Sequence, residues 1–169
     1  MLPRVPFNGV MLGVAAILAT APLGAQEPSD AARSSASPGW CERGARNYAR
    51  AAVATGFVGA NLALHEYFRR AWWSGEESGF WTNWERGSAF REQDKFGHMW
   101  GGYHLARLGN DVMVAGCVPP GSAVWLSAAY AAAFQLQIEL WDGSQAEYGF
   151  SPPDLVANTA GSAFAVPQA

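Results

Sequence analysis

Apolar residues along this chain recur at helical spacing and never settle into the apolar/polar alternation of a strand. The pattern predicts four main helices. Arg46 to Trp73 is the first, rich in Ala and Leu and without proline. Gly56 and Gly59 inside it each cost about 1 kcal/mol against Ala, so they are expected at a close helix contact. Glu76 to Glu92 follows as a loop in which Phe80, Trp81, Trp84 and Phe90 stand among charges; such a segment reads as an aromatic flap packed over the bundle. A second helix is expected from Asp94, as N-cap, to about Cys117, with a break or kink near Gly109-Asn110. Gly97 and Gly101 in it are spaced for close approach of another helix. Pro119-Pro120 opens a third, Gly121 to Trp141. After a turn over 143–150, Ser151 caps a fourth helix reaching about Val166, with Asp154 three residues on in an acidic variant of the capping box. With Ala169 the last residue, that helix is expected to be short. The fold class is therefore all-α, a compact bundle of about four helices with an aromatic-rich loop between the first and second.

The first 39 residues break the pattern. Arg4 followed by the apolar run Val10 to Ala21 and then Leu23-Gly24-Ala25 reads as a signal peptide, residues 1–25, cleaved after Ala25. An uncleaved anchor is the competing reading, but the run is shorter than the ~20 residues a span needs. Residues 26–39, Ser/Ala/Pro-rich, read as a flexible leader, and 40–169 as the helical domain. Export places Cys41 and Cys117 in an oxidising compartment. A bridge between them and two separate buried thiols both fit the sequence. The net charge of -3 over 169 residues, with no basic stripe, excludes a nucleic-acid partner. Charged residues are 15% of the chain, against a usual ~25%, which leaves apolar material for a core, a membrane-facing surface, or both.

Within these apolar elements the polar residues come in helical pairs. Asp94 and His98 are four apart, Glu139 and Asp142 three apart, Asp154 and Asn158 four apart, so each pair shares one face of its helix near an end. Buried ionisable groups are costly unless partnered, and the cheapest arrangement turns the three faces toward one spot, with Lys95 as counter-charge and Tyr103 and Gln137 as lining. Three readings fit that cluster. It is a metal or acid/base site, with His98, Glu139 and Asp142 holding a divalent metal and Asp154 orienting a water or ligand. It is a structural network fixing caps and register. Or it is a polar pocket for a headgroup or sugar. His65 beside Glu66 reads as a surface or interface residue, and His104 points away from His98. The Trp residues Trp72, Trp73, Trp81, Trp84 and Trp100 are expected around the flap. They suit either a membrane–water interface or an aromatic satellite of the core.

The stretch Gln93-Asp94-Lys95-Phe96-Gly97-His98 followed by Tyr103 resembles the DKxGH…Y signature of the YfiM-type family of predicted periplasmic lipoproteins, a domain of unknown function. Glu139-Leu140-Trp141-Asp142-Gly143, then Tyr148-Gly149-Phe150-Ser151, Asp154, Asn158 and Gly161, resembles that family's second block. The acidic-aromatic segment Phe80 to Phe90 is similar to the region before DK. The resemblance runs over roughly residues 45 to 166. The chain departs from the lipoprotein branch in having no Cys at the cleavage point. A fainter similarity reaches the VanZ-like membrane proteins, which also place D-K-x-x-H before an E…D…N…G block. Both resemblances imply an envelope protein, in the periplasm or associated with the outer membrane, and neither implies a reaction. The leading expectation is an exported, membrane-associated protein whose site is Asp94, Lys95, His98, Glu139, Asp142, Asp154 and Asn158. Its expected partner is a membrane surface or envelope component. The alternatives are a metal-dependent hydrolase of a lipid or cell-wall intermediate, and a scaffold that captures a protein through Trp81 and Trp84.

Overall fold

The computed structural model describes residues 38–41, 44–84 and 91–169. The expected signal peptide and nearly all of the expected leader lie outside the described residues. Among the described residues there are four α-helices, α1 (Arg46–Ala71), α2 (Arg91–Ala115), α3 (Pro120–Asp142) and α4 (Pro152–Phe164), followed by a short 3-10 turn, Val166–Gln168. The all-α expectation holds, and among the described residues extended pairing is limited to two isolated bridges.

Helix α2 is the axis of the bundle, packed along both α3 and α4. The seam with α4 is set by glycine. A Cβ on Gly161 would collide with the Met99 carbonyl, and one on Gly102 would meet the Asn158 carbonyl, the Gln135 amide and the Ser162 hydroxyl. The two backbones therefore touch, and side chains flanking the contact from 94 to 98 are brought against those from 154 to 158.

The expected break at Gly109-Asn110 is absent, and α2 runs unbroken to Ala115. Gly109 costs helix propensity but lies against Ser127, and this packing outweighs the local preference. Helix α2 also starts earlier than expected, at Arg91, because Arg91-Glu92-Gln93 are good helix formers. Asp94 is thus a first-turn residue and not the N-cap.

The helix ends in a Schellman turn: Val118 N–H bonds to Met113 O and Cys117 N–H to Val114 O, both at 3.0 Å. Cys117 takes the left-handed position usually given to Gly, with φ 64°. It is held there by a disulfide to Cys41, 76 residues away with Cα atoms 5.6 Å apart. This decides the open question of the thiols in favour of the bridge.

Helix α1 stands off from the bundle. Only Asn61 of its residues is buried, donating to the Tyr130 hydroxyl at 2.7 Å. Val53, Phe57 and Phe68 reach the core of Met113, Ala123, Tyr130 and Phe134 from the side. Gly56 and Gly59 have nothing within 4 Å of a would-be Cβ, so the close contact expected of them is absent. Beside the disulfide, the Arg50 guanidinium donates to the Cys117 carbonyl and the Trp40 indole to Ala115 O. The flap between α1 and α2 is packed, as expected, and its described part lies over the 143–150 turn. Phe80 covers Gly143, and Trp81 lies over Gly149, whose φ of +78° and lack of a side chain both serve the contact. Phe90 lies outside the described residues. Trp100 joins no such cover; it stacks with Phe96 and His104.

Candidate functional site

The N-terminal turns of α2 and α4 and the C-terminal turn of α3 meet at one end of the bundle. Ser151 caps α4, its hydroxyl accepting the Asp154 N–H at 3.2 Å. In a full capping box Asp154 would turn back to the Ser151 N–H. Here Glu139 Oε2 accepts that N–H at 3.2 Å instead, and the Asp154 carboxylate points to Lys95, whose ammonium bridges it to Asp94 Oδ2 at 2.8 Å. One turn along α4, Asn158 donates through Nδ2 to Glu139 Oε1 at 3.4 Å and faces His98 Nδ1 with Oδ1 at 3.0 Å. That acceptor assigns a proton to Nδ1 and leaves Nε2 facing outward. Nε2 lies 3.6 Å from Asp94 Oδ1 and 3.5 Å from Asp154 Oδ1.

Six of the seven expected residues therefore converge: Asp94, Lys95, His98, Glu139, Asp154 and Asn158. Asp142 is turned aside. Its Oδ1 takes the Trp73 indole N–H at 2.5 Å, and its backbone carbonyl accepts from Gln145 and Gly149. Tyr103 bonds to Gln168. Of the two expectations for His65 the interface one holds: it is half-buried, its ring 5.0 Å from Trp141 and 5.7 Å from Trp73, and burial lowers its pKa. Sequence reasoning missed Trp73 as the partner of Asp142. Nothing in the local pattern links residues 69 apart.

Exposure is graded across the cluster. Side-chain exposure falls from 47% at Asp94 through 29% at His98 and 20% at Lys95 to 7% at Asp154 and 2% at Glu139. The site has a wet mouth on α2 and a dry floor on α3. At the floor, burial pushes the Glu139 carboxyl up to about 8, with Asp154 and Asp142 adding to the rise and the Ser151 N–H and Lys95 opposing it. The Asp142 carboxyl is raised as well, again chiefly by burial. At neutral pH the floor is thus mostly a neutral acid, beneath a mouth of two carboxylates, an ammonium and an imidazole. Among the described residues, one trio of metal-ligating side chains brings its ligand atoms within 4.8 Å of one another: Asp94, His98 and Asp154. His98 Nδ1 stands 3.8 Å from Glu139 Oε1.

The model of the family described as predicted periplasmic lipoprotein (DUF2279) matches residues 81–168, just over half the chain. The chain belongs to this family. The match takes in the second half of the flap, α2, α3 and α4, and with them all six convergent residues; α1 precedes it. No curated protein and no solved structure matches the chain. The family description makes this an exported protein of the periplasm or cell envelope, and the disulfide agrees with an oxidising compartment. Both cysteines of the sequence are taken up by that bridge. Among the described residues, no helix is long and apolar enough to cross a membrane.

Proposed function

We propose that the protein works at the membrane surface of the envelope and that the Asp94–Glu139 cluster is its functional site, a polar pocket that binds and polarises a ligand entering over Asp94. The observation that carries this reading is the Glu139 carboxyl, 2% exposed at the floor of a pocket already holding Lys95 and two aspartates. A buried ionisable cluster is a poor way to stabilise a fold, because well-packed apolar residues of similar volume do as well or better. A chain with this much apolar material could fill the space more cheaply. Perturbed ionisable groups gathered in one cleft are the mark of a working site. Membrane association is supported by half-exposed large apolar side chains, among them Leu62, Tyr67, Trp72, Trp84, Trp100 and Trp125. The motif likeness to YfiM-type and VanZ-like proteins supports the same setting. Trp81 is occupied within the fold, its indole donating to Gln145 O at 2.9 Å, which weighs against a scaffold that presents it.

The experiment removes the charges together. Asp154→Leu alone takes the buried carboxylate from the Lys95 ammonium, which keeps the more exposed Asp94, and lowers stability by about 2 kcal/mol. Joined with Lys95→Met, stability returns to within about 1 kcal/mol of the natural chain. Expressed in place of the natural chain, that double variant accumulates normally yet reproduces the phenotype of a deletion. A double variant that loses stability as heavily as the single one, or that complements a deletion, overturns the reading.

A further inference from the structure

The geometry points to a divalent transition-metal site formed by Asp94, His98 and Asp154, whose cation position is presently shared by the Lys95 ammonium. This deepens the pocket reading by naming a ligand class for the same site. Two ligands on a tetrahedral ion with bonds of ~2.1 Å stand ~3.4 Å apart. His98 Nε2 lies 3.6 Å from Asp94 Oδ1 and 3.5 Å from Asp154 Oδ1. Both separations are too long for a good hydrogen bond and right for neighbouring ligands of one ion. The nitrogen that faces them is the one freed for ligation, because Nδ1 donates to Asn158 Oδ1, itself oriented by Glu139. A ligating imidazole typically has its other nitrogen fixed in this way. The three side chains come from two helices locked by the Gly102 and Gly161 contacts, so the spacing belongs to the fold.

The ligand set also excludes alternatives. One imidazole and two carboxylates suit zinc or manganese; a calcium or magnesium site uses oxygens alone. Three protein ligands leave at least one position for water or a substrate oxygen, on the side where Asp94 is half-exposed. Lys95 holds Asp94 through Oδ2 and Asp154 through the same Oδ1 that faces His98. An ion entering must take Asp154 Oδ1 from the ammonium, so Lys95 is a tethered competitor that weakens the metal and holds the two carboxylates in place without it.

Titration of the full chain with zinc chloride, and separately manganese chloride, followed by calorimetry, tests this. The expected result is one bound ion per chain. His98→Ala and, at the exposed edge where folding is least at risk, Asp94→Asn each weaken binding about 10-fold or more, with helical content unchanged by circular dichroism. Lys95→Met tightens it by a similar factor. No stoichiometric binding, binding unchanged in both ligand variants, or Lys95→Met no tighter than the natural chain overturns the inference. None of those results alters the complementation test above, so the pocket can outlive the metal.

Discussion

Helix α1 carries 26 residues and buries one of them, Asn61, whereas α4 has 13 and buries four, Asp154, Asn158, Gly161 and Ser162. The two are held by different physics. The α2–α4 seam is a backbone contact that needs missing side chains and fully partnered polar groups, so small changes of volume are felt there. Helix α1 is attached through the side chains of Val53, which lies against Gly116, and of Phe57 and Phe68, through one buried amide, and through a covalent bond near its start. The family match covers the first region and not the second. The tightly specified part of the molecule is the part that carries the pocket, and α1 is an attachment whose removal need not reshape it.

Predictions can press on this contrast. The largest effect is expected from Cys41→Ser/Cys117→Ser. Opening a loop of 76 residues costs about 4 kcal/mol in the chain-entropy view, read by chemical denaturation. If hydrogen exchange then rises throughout α2–α4 as much as in α1, the two regions are not distinct. Next, one substitution should have opposite signs in the two places. Gly161→Ala drives a methyl into the Met99 carbonyl and costs about 3 kcal/mol. Gly56→Ala, in open space within a helix, gains about 1 kcal/mol. Equal effects in a thermal melt would erase the comparison.

The remaining effect is in pH dependence. Glu139 has a folded pKa of about 8 against an ordinary 4.5, so the folded state binds its proton more tightly than the unfolded one. Its contribution is therefore complete below pH 4.5 and is lost as the pH rises through 8. Over that window the natural chain should lose about 4 kcal/mol relative to Glu139→Gln, which cannot ionise. Parallel pH profiles for the two would show that Glu139 ionises normally.

Much of this architecture is legible along the sequence because its signals are local. Helical spacing shows which residues share a face, Ser151 announces its cap, and the pairs 94/98 and 154/158 show which faces are polar. That reasoning places Asp94, Lys95, His98, Glu139, Asp154 and Asn158 at one end of the bundle before any coordinate. It fails where a partner is remote. Asp142 resembles Glu139 in every local respect, yet an indole from the far end of α1 turns it away. Asp94, by contrast, faces His98 together with Asp154. The looseness of α1 is equally hidden, since its Ala, Leu and Gly pattern would suit a buried helix. Whether two thiols meet depends on how α1 lies against the α2–α3 corner, which no spacing reveals.

The Cys41–Cys117 bond marks the molecule with the compartment it has reached. Thiols stay reduced in the cytoplasm and join only after a chain has crossed into oxidising surroundings. Helix α1 can be fastened only once the journey is over. A copy still in the cytoplasm lacks this clasp, and arrival itself completes the assembly.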